Sequence, residues 1–185
     1  MSAHESPSDT EFHPTADELV AGNRRFAETF DSHLLEVSPT RHMAIVTCMD
    51  SRMDIFEILG LGNGEAHIIR NAGGVITDDV IRSLCLSQRY LGTREVVLIH
   101  HTNCGLQMVT EDGLKAELEA ELGVKPWWAV ESFEDPYVDV CQSMRRLEMT
   151  PFVPFKGHVR GFVYDVQTGL LNEVFLDGAV AADPD

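Results

Sequence analysis

The sequence predicts an α/β fold: a mostly parallel central sheet with helices on both faces and a C-terminal hairpin. Three observations carry that expectation. Short apolar runs rich in β-branched residues, MAIVTC (43–48), AHIIR (66–70) and EVVLIH (95–100), read as strands buried on both faces. Segments of helical period separate them, as βαβ connections require. Two alternating segments, 158–166 and 171–175, joined through Gly169, close the chain as a hairpin.

In order along the chain, residues 1–14 are polar, hold Pro7 and Pro14, and read as a disordered tail. Thr15 stands three residues before Glu18, the spacing of a capping box, and Leu19, Val20, Phe26 and Phe30 form one stripe, so a helix is expected over 15–30. Residues 31–41 read as connection. After the first strand, Met53–Leu59 is a short helix stopped by Gly60 and Gly62. Thr77 caps a helix running through Val80, Ile81, Leu84 and Leu91 to Gly92, and two more helices are expected near 111–122 and 137–149. One catalytic domain is expected over 15–176, with a short tail at 177–185.

The 185 residues can build a core without staples, and 44% apolar with 24% charged residues is ordinary globular composition. Fourteen Lys and Arg against thirty Asp and Glu give a net charge of −16. That balance argues against a nucleic-acid binder and disfavours an anionic membrane surface. The opening stretch has neither a basic nor an apolar region of a secretory signal, so the expected location is cytoplasmic. There, Cys48, Cys85, Cys104 and Cys141 are too sparse for a disulfide scaffold and read as thiols, ligands or nucleophiles. The GLGNG at 60–64 follows a helix and precedes a strand, the reverse of a dinucleotide fingerprint, and reads as a turn.

Polar clusters stand at three strand ends: Cys48-Met49-Asp50-Ser51-Arg52, Arg70-Asn71-Ala72-Gly73-Gly74 and His101-Thr102-Asn103-Cys104-Gly105. In an open α/β sheet, ligands bind outside the carboxyl ends of the strands, so these clusters should share one crevice. Cys48, His101 and Cys104 make the ligand set of an open Cys₂His zinc site, with a position left for water or substrate. Any sheet protein can end strands in Cys or His, so buried thiols and a redox pair stay open at this point. Strand alternation, if it persists, puts Asp50 and Arg52 on the side of Cys48, where the guanidinium can hold the carboxylate ionised. Cys85 and Cys141 read as buried small hydrophobes, and His67 and His158 as packing or solvated residues.

These residues resemble the β-class carbonic anhydrases: Cys48-x-Asp50-x-Arg52, then Arg70-Asn71-Ala72-Gly73, then His101-x-x-Cys104-Gly105. The likeness extends over about 15–175. It is nearest the short bacterial branch, through Val75–Ser83 with Ile76 inserted, and that branch includes carbonyl sulfide hydrolase-like members. The resemblance implies Zn²⁺ on Cys48, His101 and Cys104, with Asp50 as a fourth ligand in a closed state. It also implies a catalytic Asp50–Arg52 dyad, substrate approach over Gly73 and Gly74, and a homodimer or homotetramer whose N-terminal helices embrace the partner. The implied activity is reversible hydration of CO₂ to bicarbonate by hydroxide generated on the metal, Asp50 orienting it through a hydrogen bond. Hydrolysis of carbonyl sulfide or carbon disulfide at the same site is the alternative, and a non-catalytic zinc or redox module a further one. Asn103 departs from the Asp often found at its position, and the acidic segment 111–139 is not diagnostic of the family and reads as a solvated face.

Overall fold

The computed structural model describes residues 14–31 and 35–181. Packing divides the chain into two units, 1–35 and 36–185. The expected N-terminal tail lies outside the described residues except for Pro14, as does the stretch 182–185.

The first unit contributes helix α1, Ala16–Ala27, with Asp17 and Glu18 in its first turn and Arg24 and Arg25 in its last, each complementing the helix dipole. The expected capping box does not form. Thr15 has φ −114° and ψ 12° rather than an extended backbone, and its side chain makes no capping bond. The helix stops at Ala27, short of Phe30, although the Phe26 and Phe30 rings still meet at 5.2 Å.

The second unit runs β1 (Met43–Cys48), α2 (Ile55–Leu59), β2 (Ala66–Asn71), α3 (Asp78–Tyr90), β3 (Glu95–His101), α4 (Glu111–Leu122), α5 (Pro136–Met149), β4 (Val159–Tyr164) and β5 (Leu171–Val174). The strands form one sheet in the order β2-β1-β3-β4-β5, parallel throughout except for the antiparallel β4–β5 hairpin. Residues 175–181 fold back so that Val180 bridges Val174.

Local chemistry explains the boundaries. Asp54 accepts from the N–H groups of Phe56 and Glu57, so α2 begins after it and Met53 is left to fill the core. Gly60 ends that helix in the left-handed region, and Thr77 caps α3 by accepting from Val80 N–H at 3.3 Å. The 60–64 segment is a turn, as its sequence context predicts.

Alternation along β1 and β3 sorts the core into two layers. Ala44, Val46, Val96 and Leu98 pack with Leu84 of α3 and Val140, Met144 and Leu147 of α5. Ile45 and Ile99 face the other way, toward Met53 and Ile55. Each fully buried aliphatic side chain contributes about 1.5–3 kcal/mol. The helical cover is uneven: α3 and α5 lie on one face, while on the other the short α2 leaves an open groove floored by Met43, Ile45, Val97 and Phe162. No residue of α4 is buried, in keeping with a solvated acidic face. Among the described residues, no helix is long and apolar enough to cross a membrane.

Candidate metal centre

β1 and β3 are adjacent and parallel, so their carboxyl ends deliver Cys48 and His101 to the same edge of the sheet. The chain then turns through Asn103, at φ 55°, and brings Cys104 back. Gln107 fastens this loop, accepting from Cys104 N–H at 2.9 Å while its amide donates to the Glu134 carbonyl at 2.7 Å. The donor atoms of Cys48, His101 and Cys104 all lie within 4.8 Å of one another, and all three residues are buried. Among the described residues no other His, Cys, Asp or Glu cluster converges in this way.

The donor set fits zinc. The two Sγ atoms are 4.0 Å apart, against about 3.8 Å for two sulfurs on a tetrahedral ion with bonds near 2.3 Å. His101 Nδ1 lies 3.0 Å from the Thr102 carbonyl, which accepts its proton and so leaves Nε2 with a lone pair. That Nε2 is buried and has no hydrogen-bond partner, the signature of a ligand atom. Charge points the same way. Contact with Cys104 lowers the Cys48 pKa, helped by His101 and the N–H groups of Asp50 and Gly73, against the cost of burial. The same contact, with burial, raises that of Cys104, because a second thiolate beside the first is repelled. Burial pushes His101 down, but the Cys48 thiolate, the Thr102 carbonyl and Asp50 together outweigh it and the net shift is upward. A dication is the partner that relieves both thiols at once.

Asp50 reaches the site by a different route from the one expected. β1 stops at Cys48 and the next residues form a turn, in which Asp50 Oδ1 accepts from Arg52 N–H at 2.9 Å. Arg52 then grips the carboxylate with both arms, Nε to Oδ1 at 2.9 Å and Nη2 to Oδ2 at 2.6 Å, and Nη2 also donates to the Asn103 carbonyl. This fork holds Asp50 well below the usual carboxylate range. Oδ2 stands 3.7 Å from His101 Nε2, beside the ligand set, with both oxygens occupied by Arg52.

Arg70 has no individual role in the sequence reading. Here it donates to the carbonyls of Cys48 and Asp50, at 2.8 and 2.7 Å, and so fixes the backbone that presents both side chains. Beyond it, Ala72–Gly74 form a 3₁₀ turn with Gly73 and Gly74 at φ 81° and 73°. Gly73, Met49, Ala72 and Leu106 line a cavity of about 230 Å³ with Cys48, Asp50 and Cys104. Gly74 does not line it. It is buried beneath, where a Cβ would come within 2.9 Å of the backbone of Thr47 and Cys48.

Elsewhere, Cys141 is buried in the α5 core, whereas Cys85 is half-buried, because α3 turns it toward an open groove beside Phe152. His67 pairs with Ser87 at 2.8 Å, and His158 is exposed.

Residues 43–130 match the carbonic anhydrase family. Over 158 residues the chain is 52% identical to β-carbonic anhydrase 1 of Mycobacterium tuberculosis, covering 85% of this chain and 96% of that protein. The chain belongs to the β-carbonic anhydrase family. Among solved β-carbonic anhydrase-like folds, the carbonic anhydrase of Streptococcus mutans superposes with a TM-score of 0.82 at 38% identity, covering 89% of this chain and 99% of that one. The family's similarity also reaches a carbon disulfide hydrolase of Saccharolobus solfataricus, 33% identical over 72% of this chain and 77% of that protein.

Proposed function

We propose that this β-carbonic anhydrase catalyses the reversible hydration of CO₂ to bicarbonate with Zn²⁺ held by Cys48, His101 and Cys104. The observation that carries the reading is the buried, unpartnered His101 Nε2 facing two thiols, next to a carboxylate that Arg52 holds ionised and whose Oδ2 takes only one bond from it. When bound, zinc supplies Lewis acidity that makes water a nucleophile near neutral pH.

The chain's residues do the rest. Asp50 is a permanent acceptor, since Arg52 keeps it ionised, and it orients a proton-bearing nucleophile toward the cavity. Arg70 keeps Asp50 and Cys48 at a fixed separation through their carbonyls. Gly73, Ala72 and Leu106 offer a small, largely apolar wall suited to a linear, uncharged substrate. Two thiolates make the ion a weaker acid than three neutral imidazoles would, so turnover is expected to rise with pH above neutrality.

The test pairs two variants. Cys48→Ser should lose bound zinc and CO₂ hydration together, whereas Asp50→Ala should keep zinc and lose most turnover, by about 100-fold or more. Full activity in Cys48→Ser would refute the ligand assignment.

The carbon disulfide hydrolase relative supports a second reading, attack on carbonyl sulfide or carbon disulfide at the same centre. H₂S release measured beside CO₂ hydration separates the two. We infer in addition that the chain works as a homo-oligomer. Support comes from the open sheet groove over Met43, Ile45, Val97 and Phe162, apolar surface that a monomer leaves wet.

A further inference from the structure

His100 and His101 are consecutive on β3, so their side chains leave the sheet on opposite faces. His101 meets the thiols. His100 is fully buried on the other side, stacked on Phe133 with ring centroids 5.5 Å apart at 11°. Its Nε2 lies 3.4 Å from the Gly74 carbonyl and 3.5 Å from Asp139 Oδ2 of α5. Asp139 Oδ2 is itself buried and has no hydrogen-bond partner. The Gly74 carbonyl can only accept, and above pH 6 Asp139 is a carboxylate, so the ring proton belongs on Nε2, donated to Gly74 while the Asp139 charge stands 3.5 Å away.

What Gly74 does makes this contact consequential. It ends the turn whose Gly73 lines the cavity and whose Gly73 N–H faces the Cys48 sulfur. The floor of the turn rests on the backbone of Thr47, Cys48 and Ile99 with no room for a Cβ. The Gly74 carbonyl lies 3.4 Å from His100 Nε2. Phe133 meets both ends of the arrangement, stacking on His100 and standing 3.1 Å from where a Gly73 Cβ would be.

We propose that His100 and Asp139 are positioning residues for the substrate-facing turn: the imidazole N–H anchors the Gly74 carbonyl, and the Asp139 carboxylate keeps that proton on Nε2. Neither touches the metal ligands' donor atoms or the substrate cavity. The proposal rests on the cavity being the site of CO₂ hydration.

Four variants test it, each checked for zinc content and for folding by circular dichroism. His100→Phe keeps the stack and removes the donor. His100→Gln returns an N–H near the Nε2 position. Asp139→Asn presents an amide that can donate to Nε2 and drive the ring proton to Nδ1, the wrong tautomer. Asp139→Ala removes the acceptor but leaves the ring free to donate to Gly74. With zinc retained, kcat/KM should fall about 10- to 100-fold in His100→Phe and Asp139→Asn. His100→Gln should recover most of the loss, and Asp139→Ala should fall less than Asp139→Asn. The Gly73 and Gly74 amide signals in ¹H–¹⁵N spectra should move in the two impaired variants more than the Gly60 signal. A merely structural carboxylate predicts the reverse order, Ala worse than Asn, and that order would overturn the proposal, as would unmoved Gly73 and Gly74 signals. If His100→Phe fails to fold, the Asp139 pair decides. Absence of CO₂ turnover in the wild type would sink the proposed function instead, and the amide signals would still judge this inference.

Discussion

Two glycine-rich turns, 60–64 and 72–74, look alike in sequence and use glycine for different reasons. Gly60 needs only a left-handed backbone, φ 62°, to end α2, and a Cβ there would meet nothing within 4 Å. Gly74 needs the left-handed backbone and the missing side chain as well, because the ends of β1 and β3 press against it. The first turn finishes a helix; the second is a packed part of the candidate metal centre. Glycine in a sequence announces conformation, and only the neighbours reveal whether space is also required.

The largest effect expected from this contrast is in Gly74→Ala. Its methyl would meet backbone atoms at 2.9 Å, which cannot rotate away, so stability should drop by about 3 kcal/mol or more and turnover by about 100-fold. Denaturant melts and CO₂ kinetics check both. Wild-type behaviour in this variant would break the comparison.

A smaller effect concerns the acid behind that turn. Burial, then the charge of Glu131, pushes the Asp139 pKa up to about 6 from 3.8. The folded state thus prefers the neutral carboxyl, so Asp139 costs stability as pH rises from about 4 to 6, and the cost is complete above 6. Asp139→Asn should therefore be more stable than wild type at pH 7.5, by about 1–3 kcal/mol, with the advantage vanishing near pH 4. Paired melts across that range would reveal it. A stabilised but slower variant would sharpen the contrast between residues kept for the fold and residues kept for the site.

The smallest effect is in Gly60→Ala, where only the left-handed strain remains. About 1 kcal/mol of stability should be lost, with turnover unchanged.

Much of the centre was legible because each part sits within a few residues at a strand end. Cys48, His101 and Cys104 could be read from the strands that carry them, and the strand order then made them neighbours. Asp50 and Arg52 were legible as a pair, but the expected extended strand is a turn closed by the pair's own hydrogen bond. Thr15 failed as a cap because local spacing does not guarantee the extended backbone a cap needs. His100 left one faint signal, its place beside His101 on a strand, where alternation must send the two rings to opposite faces. Asp139 left none, for its partner stands on another element and only the packing of α5 on β3 joins them. Phe133 was likewise hidden inside a segment whose acidic composition suggested solvent alone, yet it is buried against His100.

The central claim is that Cys48, His101 and Cys104 hold one zinc that CO₂ hydration requires. Stopped-flow CO₂ hydration on protein of measured metal content, before and after chelation and zinc restoration, tests it most directly. The account predicts one zinc per chain and a rate that falls and returns in proportion to it. Zinc-replete protein that leaves CO₂ untouched, or full hydration activity after zinc is stripped, would contradict it.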